Sequence, residues 1–75
     1  MQEYRDIDGN SGVTHFEVGP HSIDIKFKGG SVYRYDYAKP GQQHVQTMAQ
    51  LAASGKDLAT YVNQHVRKNF SQRFK

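Results

Sequence analysis

The stretch IDIKFKGGSVYRYDY, residues 23–37, decides how this chain folds. Ile23, Ile25 and Phe27 alternate with Asp24, Lys26 and Lys28, and Tyr33, Tyr35 and Tyr37 alternate with Arg34 and Asp36. A period of two with one apolar side is the pattern of a half-buried strand. Gly29 and Gly30, between the two runs, supply the positive φ that a tight reversal needs. A two-residue turn would pair Ile25 with Arg34 and Ile23 with Asp36, mixing the faces. A three-residue loop, Lys28-Gly29-Gly30 with Gly30 in the bulge, pairs Ile25 with Tyr33, Ile23 with Tyr35 and Asp24 with Arg34. A slip of one residue exchanges every side chain between faces, so the clean partition selects the three-residue loop.

Working outward, Val13 to Val18 reads as a preceding strand with Phe16 and Val18 inward. Gly19-Pro20-His21 turns the chain into the hairpin, and Ala38-Lys39-Pro40-Gly41 ends the sheet. From Gln42 onward, Val45, Met48, Ala49, Leu51 and Ala52 recur at helical spacing against Gln42, Gln43, Gln46, Thr47 and Gln50. Gly55 is placed to stop that helix and Asp57 to cap a second one. The second carries an inward stripe of Leu58, Tyr61, Val62, Val66 and Phe70, with Asn63, Gln64, Arg67 and Lys68 opposite. The expected architecture is α+β: a three-stranded antiparallel sheet, β-β-β, followed by two helices packed on one face. Residues 1–11 are expected to be a flexible lead-in and residues 12–75 a single domain.

With 75 residues and no cysteine, the chain is near the lower limit for a self-sufficient core, and neither disulfides nor thiolate metal sites reinforce it. No apolar run approaches the ~20 residues that span a bilayer. The first residues lack the layout of a secretion signal, so a cytoplasmic protein without membrane contact is expected. The net charge of +3 is unevenly spread. Residues 1–55 carry five Lys/Arg against six Asp/Glu, whereas residues 56–75 carry Lys56, Arg67, Lys68, Arg73 and Lys75 against Asp57 alone. Such asymmetry points to an anionic partner; it also suits a solvated helix whose cations complement the C-terminal end of the dipole.

The run I-x-I-x-F-K-x-G-S-V-Y-R-Y, the later Ser54-Gly55 and the closing N-Q-H-V-R-K-N-F resemble the KTSC domain, over roughly Ser11 to Phe70. That family is named for a C-terminal extension of some lysyl-tRNA synthetases and also occurs as a free-standing small bacterial protein. Its Tyr-x-Tyr centre corresponds to Tyr33 and Tyr35, and its C-terminal pattern to Asn63, Val66, Arg67 and Phe70. One serine, Ser11, stands where the family has a pair, and the segment between Ser54 and Asn63 is longer than the family's usual spacing. The resemblance implies a small α+β domain and RNA binding, with Tyr33, Tyr35, Asn63, Val66 and Phe70 as structural motif residues.

Several chemistries find no support. Asp6, Asp8, Asn10 and Glu17 fall at positions one, three, five and twelve of a calcium loop, but the sixth, which needs glycine, is Ser11. The five residues before Asp6 make no entering helix, so a polar lead-in is the better reading. His15, His21, His44 and His65 lack metal-ligand spacing, and His65 flanks the apolar stripe of the second helix. No nucleophile elbow, P-loop or dinucleotide fingerprint occurs, so neither catalysis nor a cofactor is expected.

The register places the tyrosines with Ile23, Ile25 and Phe27, on the face that helices must cover, as core or core-edge residues whose hydroxyls reach polar partners. The expected function is a non-catalytic binding module for nucleic acid, RNA above all. Lys56, Arg67, Lys68, Arg73 and Lys75 would contact phosphates, helped by Lys26, Lys28 and Arg34. The alternative is a protein-interaction domain using the edge of the first strand or the glutamine-rich helix. One contiguous positive patch favours the former and scattered charges the latter.

Overall fold

The computed structural model describes residues 1–7, 9 and 11–74. Five antiparallel strands lie side by side in chain order: β1 (Gln2–Glu3), β2 (Val13–Val18), β3 (Ser22–Phe27), β4 (Val32–Asp36) and β5 (Gln72–Arg73). Two helices complete the α+β fold, α1 (Gln42–Ser54) and α2 (Leu58–Tyr61), the second running on into a π-helical turn, Val62–Val66.

The β3–β4 hairpin has the expected register, with Ile23 opposite Tyr35, Asp24 opposite Arg34 and Ile25 opposite Tyr33. Gly30 sits at φ +93° and donates its amide to the Phe27 carbonyl at 2.9 Å, while the Phe27 amide donates to the Ser31 carbonyl. Three residues therefore make the loop, with the glycine in the bulge position. Arg34 grips Asp24 with two hydrogen bonds, Nε to Oδ1 at 2.7 Å and Nη2 to Oδ2 at 3.0 Å.

The sheet has five strands where three were expected, because β1 and β5 are two residues each and too short to display an alternation. Gln2 lies opposite Phe16 in β2, and Arg73 lies opposite Tyr33 in β4. The expected lead-in thus supplies an edge strand and also a core residue. Tyr4 is buried, its ring edge-on to Phe16 and its hydroxyl accepting the Leu58 amide at 3.3 Å.

The core joins Val13, Phe16, Ile23, Ile25 and Tyr35 of the sheet to Val45, Met48 and Ala52 of α1, and to Leu58, Val62 and Val66 beyond it. Each fully buried aliphatic of this set contributes about 1.5–3 kcal/mol. Val13 and Phe16, three apart, both reach the core because the ladder shifts between Val13 and His15, a bulge. Val18 stands opposite Ile23 but at the strand's end, and is half exposed rather than covered.

The helices keep the expected order with two changes. Gly55 ends α1 at φ +77°, its amide donating to the Leu51 carbonyl at 3.0 Å. Asp57 occupies the N-cap position of α2 yet makes no side-chain cap; the Tyr4 hydroxyl takes the Leu58 amide instead. The second helical segment also stops before Phe70. Arg67 donates its amide to the Val62 carbonyl, five residues back, and the backbone then leaves the helix at φ 15° and ψ −90°. No helix among the described residues is long and apolar enough to cross a membrane.

Candidate functional site

That early exit from the helix borders a recess. An open groove of about 320 Å³ separates the hairpin from the segment 62–70. Phe27, Ser31 and Tyr33 line it from the hairpin, and Asn63, Arg67 and Lys68 from the helical side. Phe70 also lines it, and the buried Tyr35 and Val62 lie at its base.

The rings are arranged around Tyr33. Phe70 lies against it with centroids 4.7 Å apart and planes tilted by 40°, and Phe27 approaches edge-on at 5.6 Å. Arg73, which β5 brings opposite Tyr33, holds its guanidinium carbon 5.6 Å from the same ring centroid. Tyr35 is 1 % exposed and its hydroxyl donates to the Arg67 carbonyl at 3.1 Å. Burial, with the nearby Tyr33 as a lesser cause, pushes the Tyr35 phenol up to about 12. This bond ties the end of the helical segment to the centre of the sheet, and so fixes where Arg67 and Lys68 leave the backbone.

Of the eight expected phosphate contacts, Arg67 and Lys68 line the groove, and Arg73 joins them through Tyr33. Asn63, Arg67 and Lys68 were expected on the side away from the sheet. The wider π-helical turn and the exit at Arg67 change that placement, and all three border the groove instead. Lys56 lies at the opposite end of the second helical segment, roughly 15 Å away along its axis. Lys28 is exposed in the hairpin loop, and Lys26 lines a separate recess with Gly29 and Gly30. Arg34 is committed to Asp24, whose hydrogen bonds and charge raise its pKa, and Phe74 lies over its guanidinium at 5.0 Å. Lys75 lies outside the described residues, as do Asp8 and Asn10 of the calcium-like stretch.

Tyr33, Tyr35, Asn63 and Phe70, expected as structural motif residues, meet in the groove, while Val66 is buried in the core. Phe27 and Ser31 belong to the site without having been expected there. Their one signal in the sequence is position: they flank the loop, at the end of the face where a short second helix gives no cover.

Among the described residues, none that lines the groove is acidic. The ion pairs of Arg34 with Asp24 and of the N-terminal ammonium with Glu17 involve neither Arg67 nor Lys68. Apolar rings, polar residues Ser31 and Asn63, and the cations Arg67 and Lys68 suit a ligand that is both planar and anionic. Two other clusters are smaller. His44 Nδ1 lies 2.7 Å from the Tyr61 hydroxyl, which pins α1 to the second helical segment, and the His65 ring lies tilted against Tyr61 at 4.5 Å. Tyr4, Asp6, Ser11 and Asp57 border a recess of only about 70 Å³, where the Asp6 carboxylate accepts the Ser11 amide. No three His, Cys, Asp or Glu side chains gather as a metal site among the described residues. Compared with protein-family models, curated proteins and solved structures, the chain matches none.

Proposed function

We propose that this protein is a small non-catalytic module that binds single-stranded RNA, gripping phosphates with Arg67, Lys68 and Arg73. The observation that carries this reading is a groove, with no acidic residue among its described lining, in which Arg67 and Lys68 meet Phe27, Tyr33 and Phe70, with Arg73 beside the Tyr33 ring. Cations beside aromatic rings are the recurring means of holding single strands, with phosphates supplying affinity and rings accepting bases. The resemblance of Tyr33, Tyr35, Asn63 and Phe70 to the KTSC pattern supports the same reading.

Titration of labelled single-stranded RNA at two salt concentrations tests it. Affinity should fall steeply with salt, and Arg67→Gln with Lys68→Gln should flatten the slope by about 0.7 per lost contact. Lys39→Gln, outside the groove, should change the slope little. Absence of binding at low salt and tens of micromolar protein would overturn the proposal in favour of a protein-interaction domain, whose candidate surface is the exposed Gln42, Gln43, Gln46 and Gln50 row of α1.

A further inference from the structure

We infer that the groove takes one unpaired nucleobase out of the strand, so that the protein distinguishes single-stranded from double-stranded nucleic acid. This rests on the RNA-binding reading and adds to it what the apolar part of the site is for. Phosphates alone would need cations on a surface. Here the cations border a recess, and its walls are Phe27, Tyr33 and Phe70, each only partly buried in the core.

Size sets the number of bases. About 320 Å³ is at the lower end of small-molecule sites, room for one nucleoside and not for a stack. A base inside a duplex cannot enter, because its faces are covered by its neighbours and its pairing edge is occupied. An unpaired base brings both. Its faces lie against the rings, and its edge meets Ser31 and Asn63, whose side chains together carry donors and acceptors. Arg67 and Lys68 on one side, and Arg73 over Tyr33, are then placed for the phosphates that flank the inserted base.

An abasic strand separates base insertion from phosphate contact, because it keeps every charge and removes every ring. Three labelled ligands of equal length are titrated into the wild-type protein at one low salt concentration: single-stranded RNA, its abasic counterpart and a blunt duplex. The single strand should bind about ten-fold tighter than the abasic strand, the scale of one base stacked on aromatic side chains. The duplex should not exceed the abasic strand. Ser31→Leu, which narrows the groove while keeping all cations, should bring the single strand down to abasic affinity with an unchanged salt slope. Equal affinity for intact and abasic strands would overturn the base site and leave the phosphate reading standing. A ten-fold preference that survives in Ser31→Leu would also overturn it, and failure to bind any of the three would remove both readings.

Discussion

Tyr33 and Tyr35 stand two residues apart on β4, on one face, each opposite an isoleucine of β3, yet they have different fates. Tyr35 is sealed in the core with its hydroxyl bonded to the Arg67 carbonyl, whereas Tyr33 is half-buried in the wall of the groove. The residues are chemically identical and share their orientation, so the difference comes from what lies above them. Val45, Met48, Leu58 and Val66 belong to the core cluster that encloses Tyr35. The helix has ended by Arg67, so Tyr33 is left with the looser cover of Phe70 and the guanidinium of Arg73. A strand's alternation sets which face a side chain takes, while helix length sets how deeply that side chain is covered.

The largest expected effect breaks or confirms that contrast directly. Tyr35→Ala should lose ~3 kcal/mol or more of stability, as removal of a buried ring does, and Tyr33→Ala about half as much. Urea midpoints of the two variants measure this, and the reverse order would mean that the helix covers the other tyrosine. Next in size is a pH effect. Burial raises the Tyr35 phenol from 10.0 to about 12, so in the alkaline range the unfolded chain ionises before the folded one. The stabilisation is complete below pH 10 and is lost as pH rises through about 12, by about 3 kcal/mol at most. Tyr35→Phe should be about 1 kcal/mol less stable than wild type near neutrality, from its lost hydrogen bond, and that gap should close and then reverse at high pH. Parallel stability curves for the two proteins would show that the phenol does not sense burial.

Two smaller effects sharpen the account of the hairpin that presents both tyrosines. Gly30 sits at φ +93° with open space around a Cβ, so any cost of substitution is conformational. Gly30→Val should be less stable than Gly30→Asn by ~1 kcal/mol in thermal or urea melts, since only asparagine tolerates left-handed backbone with ease. Equal costs would argue against the bulged loop. Asp24→Asn should cost less than about 1 kcal/mol, because Arg34 keeps a side-chain exposure of 39% and water screens the pair. A larger loss would mean that this outer face is shielded from water.

Much of the frame was legible from residues 13–55. The Ile/Tyr register follows from Gly29-Gly30 and strict alternation, and the end of α1 follows from Gly55, because each depends on neighbours along the chain. The short strands were not legible. Gln2–Glu3 and Gln72–Arg73 carry no periodic signal, and each becomes a strand because a longer edge already offers it unpaired backbone groups. The helical stripe drawn through Phe70 also fails, since spacing alone does not reveal the π-helical turn that ends the segment at Arg67.

The same division holds for the candidate site. Arg67 and Lys68 stood out as cations, and Tyr33, Tyr35 and Phe70 as aromatics, from composition and pattern. Their meeting in one groove depended on the exit from the helix, on the Tyr35–Arg67 bond and on the docking of β5, which together bring residues some 30 to 40 positions apart into contact. Local alternation and turn chemistry act between neighbours and are written in the sequence. The depth and contents of a recess depend on where separate elements stop and what covers them, and only the packed tertiary structure decides that.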